Sequence, residues 1–167
     1  SSFIILTLVL YASDMQDLGV ILLAAGQGTR MQSNLPKVLH PLAGRPLFLH
    51  ALGTAQRLNP KRVAIVIGHG ADAVRSVYPG NNVAWITQEP QLGTGHAVLC
   101  AREAFEGLNG EVIILSGDVP LIQELTLRMM VEHHRSRNAA VTLLTASLDK
   151  PEGYGRILRD GRDAITG

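Results

Sequence analysis

LAAGQGTRMQSNLPKV, residues 23–38, continues an apolar run that begins at Val20-Ile21-Leu22. The run reads as a buried strand. It empties into a small-residue loop, Ala24-Ala25-Gly26-Gln27-Gly28-Thr29, followed by Arg30 and, seven residues on, by Lys37 behind Pro36. This order of residues suits a polyphosphate ligand. Residues without side-chain bulk let backbone N–H groups approach the ligand, and two cations neutralise charge that a bare loop cannot. The loop is neither of the common glycine-rich motifs. A dinucleotide fingerprint needs a third glycine where Met31 stands, and a Walker A loop needs a Gly-Lys-Ser/Thr that is absent.

Composition narrows the class. A chain of 167 residues is long enough for one domain with its own core. With 46% hydrophobic and 17% charged residues, disorder is excluded as the general state. A net charge of +1 gives no basic field for nucleic acid, and none is expected as a partner. The single cysteine, Cys100, has no intrachain partner, which fits a reducing, cytoplasmic compartment. Residues 3–12, FIILTLVLYA, are uncharged but too short to cross a bilayer as a helix, which needs about 20 residues. No basic residue precedes them and no clear cleavage site follows. Residues 1–14 are therefore expected to be an extension ahead of Met15 and outside the fold, with the domain running over 15–167. No membrane association is expected.

Beyond the first loop the chain alternates. Helices are expected at 47–58, 71–78, 95–106 and 123–137, and strands at 62–68, 83–87, 111–116 and 139–147. Residues Ala97, Val98, Ala101, Ala104 and Phe105 share one helical face, as do Leu127, Met130, Val131 and His134. This alternation predicts an α/β fold: a mostly parallel, Rossmann-like sheet with helices on both faces. Ligands of such sheets bind at the carboxyl ends of the strands. Three polar segments fall there: 24–37, 88–95 and 117–120.

LAAGQGTRM followed by LPKVLHPLAGRPL resembles the signature of sugar-nucleotide pyrophosphorylases. It is most similar to the N-terminal uridyltransferase domain of the bifunctional N-acetylglucosamine-1-phosphate uridyltransferases. QEPQLGTGHA at 88–97, GDVPLI at 117–122 and GYGRI at 153–157 agree with that family in order and spacing, so the likeness covers residues 18–167. The resemblance implies a nucleotide-diphospho-sugar transferase fold and an enzyme that makes UDP-N-acetylglucosamine and pyrophosphate from UTP and N-acetylglucosamine-1-phosphate, with Mg²⁺ as cofactor.

Carried over residue by residue, the resemblance gives Arg30 and Lys37 the reacting phosphates. It assigns Leu23, Ala24, Ala25, Gly26, Gly28 and Thr29 to the nucleotide loop. Gln88, Gly93 and Thr94 would meet the uracil, Gly155 the acetamido sugar, and Asp118 the metal. The residue chemistry is compatible. An amide offers a donor and an acceptor, as uracil's edge does, and a strand-end carboxylate suits Mg²⁺, which takes one or two carboxylates plus phosphates. Asp118 also reads as a turn or helix-capping aspartate, and Thr94 as a helix cap. His96 reads as locally packed, His69 as part of a strand-end turn, and His133, His134, Arg135 and Arg137 as a solvated helix end.

The family's domain continues past residue 167 with further acceptor and metal ligands. The chain is therefore expected to be a C-terminally truncated, monomeric fragment, weakly active or inactive. It shows no hexapeptide repeat of the acetyltransferase domain through which full-length relatives oligomerise. A nucleotidyltransferase for another sugar phosphate or for molybdenum-cofactor assembly is an alternative, and so is a silent nucleotide-binding module.

Overall fold

The computed structural model describes residues 2–10, 17–26, 33, 35–149, 155–161, 165 and 166. Its centre is a sheet of seven strands. In chain order these are β1 (Ser2–Leu10), β2 (Asp17–Ala24), β5 (Arg62–Ile67), β6 (Ala84–Thr87), β7 (Gly110–Ser116), β8 (Val141–Ser147) and β9 (Arg156–Ile157). The short strands β3 (Pro41–Leu42) and β4 (Arg45–Pro46) form a separate hairpin. The main sheet runs β6-β5-β2-β7-β1-β8, with β9 paired to β1. β6, β5, β2 and β7 are parallel neighbours.

The continuous apolar runs of β2 and β5 are explained by burial on both faces. Alternate residues enter two cores. Val20, Leu22, Ile65 and Ile67 belong to the larger, with Phe48, Leu52, Ile113, Leu115 and Leu127. Ile21, Ala64 and Val66 belong to the smaller, with Ala97, Ala101 and Ile114. Helix α1 (Leu47–Gln56) starts behind Pro46, which fixes the entry without needing an N–H. It buries Phe48, Ala51, Leu52 and Ala55, the spacing of one helical stripe. Helix α2 (Ala71–Ser76) adds Val74, and α4 (Glu124–Ser136) adds Leu127, Met130 and Val131 to the larger core. Helix α3 (Thr94–Cys100) covers the other face through Ala97. Truncating a fully buried ring such as Phe48 costs about 3–5 kcal/mol in sites of this kind. The parallel-sheet architecture with helices on both faces is thus present.

Three expectations change. The helix expected at 95–106 stops at Cys100, and Arg102–Phe105 is a 3₁₀ turn. Ala104 and Phe105 still pack on the smaller core, so the apolar face is kept while the winding tightens. The basic end of α4 is not simply solvated. His134 is fully buried, its Nδ1 2.9 Å from Thr142 Oγ1. Arg135 donates through Nε and an Nη to both carboxylate oxygens of Glu111, at 2.7 and 2.8 Å.

The largest change is at the N-terminus. Residues 2–10, expected outside the fold, form β1 inside the sheet. Leu8, Val9 and Leu10 pair antiparallel with Ile114, Ile113 and Val112 of β7, and on their other side with Leu143, Thr142 and Val141 of β8. Ser2 and Phe3 pair with β8 and with Ile157 and Arg156 of β9. An uncharged run rich in Ile, Leu and Val is a good strand former, and this slot satisfies its backbone groups on both edges.

Candidate functional site

The carboxyl ends of β2, β6 and β7 enclose a cleft of about 390 Å³. Four of its lining residues, Ala25, Gly26, Lys37 and Asp118, come from the first and third expected segments, and Leu23 comes from the end of β2. Gln88, Gly93 and Thr94 line it from the segment after β6. Sequence reasoning missed Val38, Gln91, Ala97 and Ser116, which also line it. Ala24 is buried in the larger core instead, because strand alternation places it on the side of Val20 and Leu22. Gly155 is exposed ahead of β9 and is not part of the cleft lining. Gly28, Thr29 and Arg30 lie outside the described residues.

Local chemistry aims each group. Lys37 opens a 3₁₀ turn, Lys37–Leu39, closed by the Leu39 N–H donating to Pro36 O at 2.9 Å. Val38 and Leu39 are buried in the larger core and anchor the turn, which leaves the Lys37 amine facing the cleft. The Gly117 N–H donates to Leu23 O at 2.8 Å, tying the end of β7 to the end of β2. A Cβ at residue 117 would sit 2.9 Å from that same oxygen, so only glycine permits the approach. The next residue, Asp118, is thereby held beside the β2 loop. Its Oδ2 accepts from Lys37 Nζ at 2.6 Å.

Burial acts to raise the Asp118 carboxyl, but hydrogen bonds from Lys37 and Ser116 and the Lys37 charge outweigh it and hold the group below the ordinary aspartate range. The carboxylate is therefore ionised throughout the neutral range. Among the described residues no group of three or more His, Cys, Asp or Glu could hold a metal. Asp118 offers one carboxylate, the number Mg²⁺ needs when phosphate oxygens supply other ligands.

At the other end of the cleft, the Gln88 N–H continues the sheet by donating to Ile67 O at 2.8 Å. The Gln88 side chain is buried. Its Nε2 donates to Gly93 O at 2.8 Å and lies 3.2 Å from His96 Nδ1. Gly93 has φ +96° and ψ −179°, a conformation essentially confined to glycine, and it turns that carbonyl back on Gln88.

A larger hollow of about 740 Å³ lies at the amino end of the sheet, lined by Asp17, Lys61, Arg128 and Arg135. Its cations are already paired: Lys61 with Asp17 at 2.6 Å, Arg128 with Glu124 at 2.8 Å and Arg135 with Glu111 at 2.7 Å. The smaller cleft is the better ligand site, since its polar groups converge at the strand ends. No helix among the described residues is long and apolar enough to cross a membrane.

Residues 20–160 match the MobA-like NTP transferase domain. The chain is 49% identical over 148 residues to "Bifunctional protein GlmU" of Geotalea uraniireducens, covering 88% of this chain and 32% of that protein. It is 51% identical over 151 residues to the protein of the same name from Geobacter metallireducens, covering 89% and 32%. The chain thus spans about a third of the length of these curated relatives. Among solved structures, Rv0371c of Mycobacterium tuberculosis superposes with a TM-score of 0.61 at 19% identity, covering 74% of this chain and 63% of the other. A nucleotidyl transferase of Methanothermobacter gives a TM-score of 0.61 at 22% identity, covering 71% and 58%. At these identities the likeness establishes the fold.

Proposed function

The chain belongs to the MobA-like NTP transferase domain family, and on that premise we propose that it is the uridylyl-transferring part of an enzyme joining UTP to N-acetylglucosamine-1-phosphate. The relatives that share about half its residues over most of its length support that reading. The observation that carries it is the single cleft with Lys37 and Asp118 at one end and the buried amide of Gln88 at the other.

In the reaction, a phosphate oxygen of the sugar phosphate attacks the α-phosphorus of UTP. The bond from that phosphorus to the bridging oxygen of the β-phosphate breaks, and pyrophosphate leaves. Negative charge gathers on phosphoryl oxygens, so the work is mostly positioning and electrostatics. Lys37 meets the phosphates, and Arg30 is its proposed companion. Leu23, Ala25 and Gly26 line the approach of the triphosphate, with Gly28 and Thr29 continuing the loop. Gln88, Gly93 and Thr94 hold the base, and Gly155 is proposed to contact the sugar. Asp118 would hold Mg²⁺ together with phosphate oxygens; when bound, the ion neutralises charge on the phosphates. A cytoplasmic setting, where UTP is made available, follows from this chemistry.

The test is calorimetric titration with UTP, GTP, CTP and ATP in the presence of Mg²⁺, together with pyrophosphate release when N-acetylglucosamine-1-phosphate is added. UTP should bind most tightly. Equal affinity for UTP and ATP would overturn the uridylyl assignment, and a preference for GTP would move the chain to guanylyl transfer.

A further inference from the structure

The Gln88 amide nitrogen lies 2.8 Å from Gly93 O and 3.2 Å from His96 Nδ1. A carbonyl oxygen only accepts, so the group facing Gly93 is the NH₂. His96 Nδ1 faces the same NH₂ and must itself be an acceptor. The imidazole proton therefore sits on Nε2, which lies 3.6 Å from Cys100 Sγ, one helical turn further along α3. Both amide protons of Gln88 are thus engaged inside the protein. The polar atom left for a ligand is Oε1, an acceptor, on a residue that lines the cleft.

We propose that His96 is a positioning residue for nucleotide choice: by taking the second Gln88 amide proton, it makes the cleft present a fixed acceptor to the base. Such an acceptor favours a ring N–H flanked by carbonyls, as in uracil. It disfavours cytosine, whose ring nitrogen at that position is another acceptor. Gly93 alone does not achieve this. Without His96 the second amide proton is a buried, unpaired donor, free to turn to the ligand and to meet cytosine's ring nitrogen. This inference rests on the reading that Gln88 meets the base. His96 touches Gln88, and its effect passes through that residue.

The experiment measures the ratio of UTP to CTP affinity, by calorimetry with Mg²⁺, for the chain and for Gln88→Ala, His96→Leu and His96→Asn. Asparagine places an acceptor oxygen near the position of Nδ1. The preference for UTP should fall about tenfold in Gln88→Ala and His96→Leu, the scale of one buried hydrogen bond left unmade, and return in His96→Asn. A preference unchanged in Gln88→Ala would remove the base reading itself. A preference lost in Gln88→Ala but kept in His96→Leu would overturn the role of His96 and leave that reading standing. Loss in His96→Leu without recovery in His96→Asn would reduce His96 to packing. Nitrogen-15 spectra of the unmutated chain give an answer that does not depend on any variant folding. The Nε2–H tautomer of His96 is required, and an Nδ1–H tautomer overturns the proposal.

Discussion

Lys37 and Asp118, 81 residues apart in sequence, meet at 2.6 Å across the mouth of the cleft. The proposed phosphate cation and the proposed metal ligand thus neutralise each other. On the proposed reading, a nucleotide with its metal would draw them apart, giving the amine to phosphate and the carboxylate to the cation. The pair satisfies two partly buried groups.

Opposite effects on metal and nucleotide follow. Lys37→Met removes the competitor for Asp118, so Mn²⁺ alone should bind more tightly, while UTP binding weakens by about tenfold, the worth of one charge-assisted hydrogen bond. Asp118→Asn should weaken both. Paramagnetic titration of free Mn²⁺ and calorimetry with UTP give the two readings. Lower Mn²⁺ affinity in Lys37→Met would show that the amine does not compete for the carboxylate.

Gly93→Ala tests the turn that shapes the base end of the cleft. At φ +96° and ψ −179° an alanine is strained by about 1–3 kcal/mol. The carbonyl that receives the Gln88 amide would shift. UTP affinity should drop more than thermal stability does, since Gly93 is exposed and carries no core packing. Unchanged UTP affinity would separate this turn from base binding.

The Glu111–Arg135 pair should show in the pH dependence of stability. Hydrogen bonds from Arg135 outweigh burial and hold the Glu111 carboxyl below the ordinary glutamate range. A depressed value stabilises the fold at pH above the unfolded-state value, and that gain is lost as pH falls through the folded-state value. Arg135→Met should therefore cost about 1–3 kcal/mol at neutral pH, where it strands a buried carboxylate, and less at about pH 3, below the unfolded-state value, where protonation erodes the contribution of the pair. Urea unfolding at the two pH values measures it. An equal deficit at both would assign the loss to packing of the arginine stem.

Removing residues 1–10 should lower the melting temperature and promote association. It would leave β7 and β8 with unpaired backbone edges, a template for pairing between chains. Thermal unfolding with light scattering reads both effects. An unchanged melting temperature and no scattering would return the segment to the status of an extension.

Much of the architecture was legible because it is local or periodic. Runs buried on both faces, such as Val63–Ile67, announce parallel strands, and the spacing of Phe48, Ala51, Leu52 and Ala55 announces one helix face. The cleft was legible because strand direction alone puts the segments after β2, β6 and β7 at one end of the sheet. Pairings between distant elements were not. Nothing near Arg135 says that its partner is Glu111, and nothing in FIILTLVL says that its neighbours are β7 and β8. The Lys37–Asp118 contact was hidden for another reason. Each residue has a sufficient reading of its own, and only geometry shows that the two side chains pair. Ala24 could have been placed inward by continuing the alternation from Val20 and Leu22.

The position of β1 also sets an order of events. Leu10 finds its partners in Val112 and Val141. During synthesis this apolar strand is therefore made before both of its neighbours and must wait, with its backbone unpaired, until they have left the ribosome. Contacts so distant in sequence carry a high loop-closure cost and form slowly. The centre of the sheet, β2 with β5, can assemble much earlier. Pulsed hydrogen exchange during refolding should accordingly show the amides of Leu8, Val9 and Leu10 protected after those of β2 and β5, so that a strand translated before its neighbours is secured after the centre of the sheet.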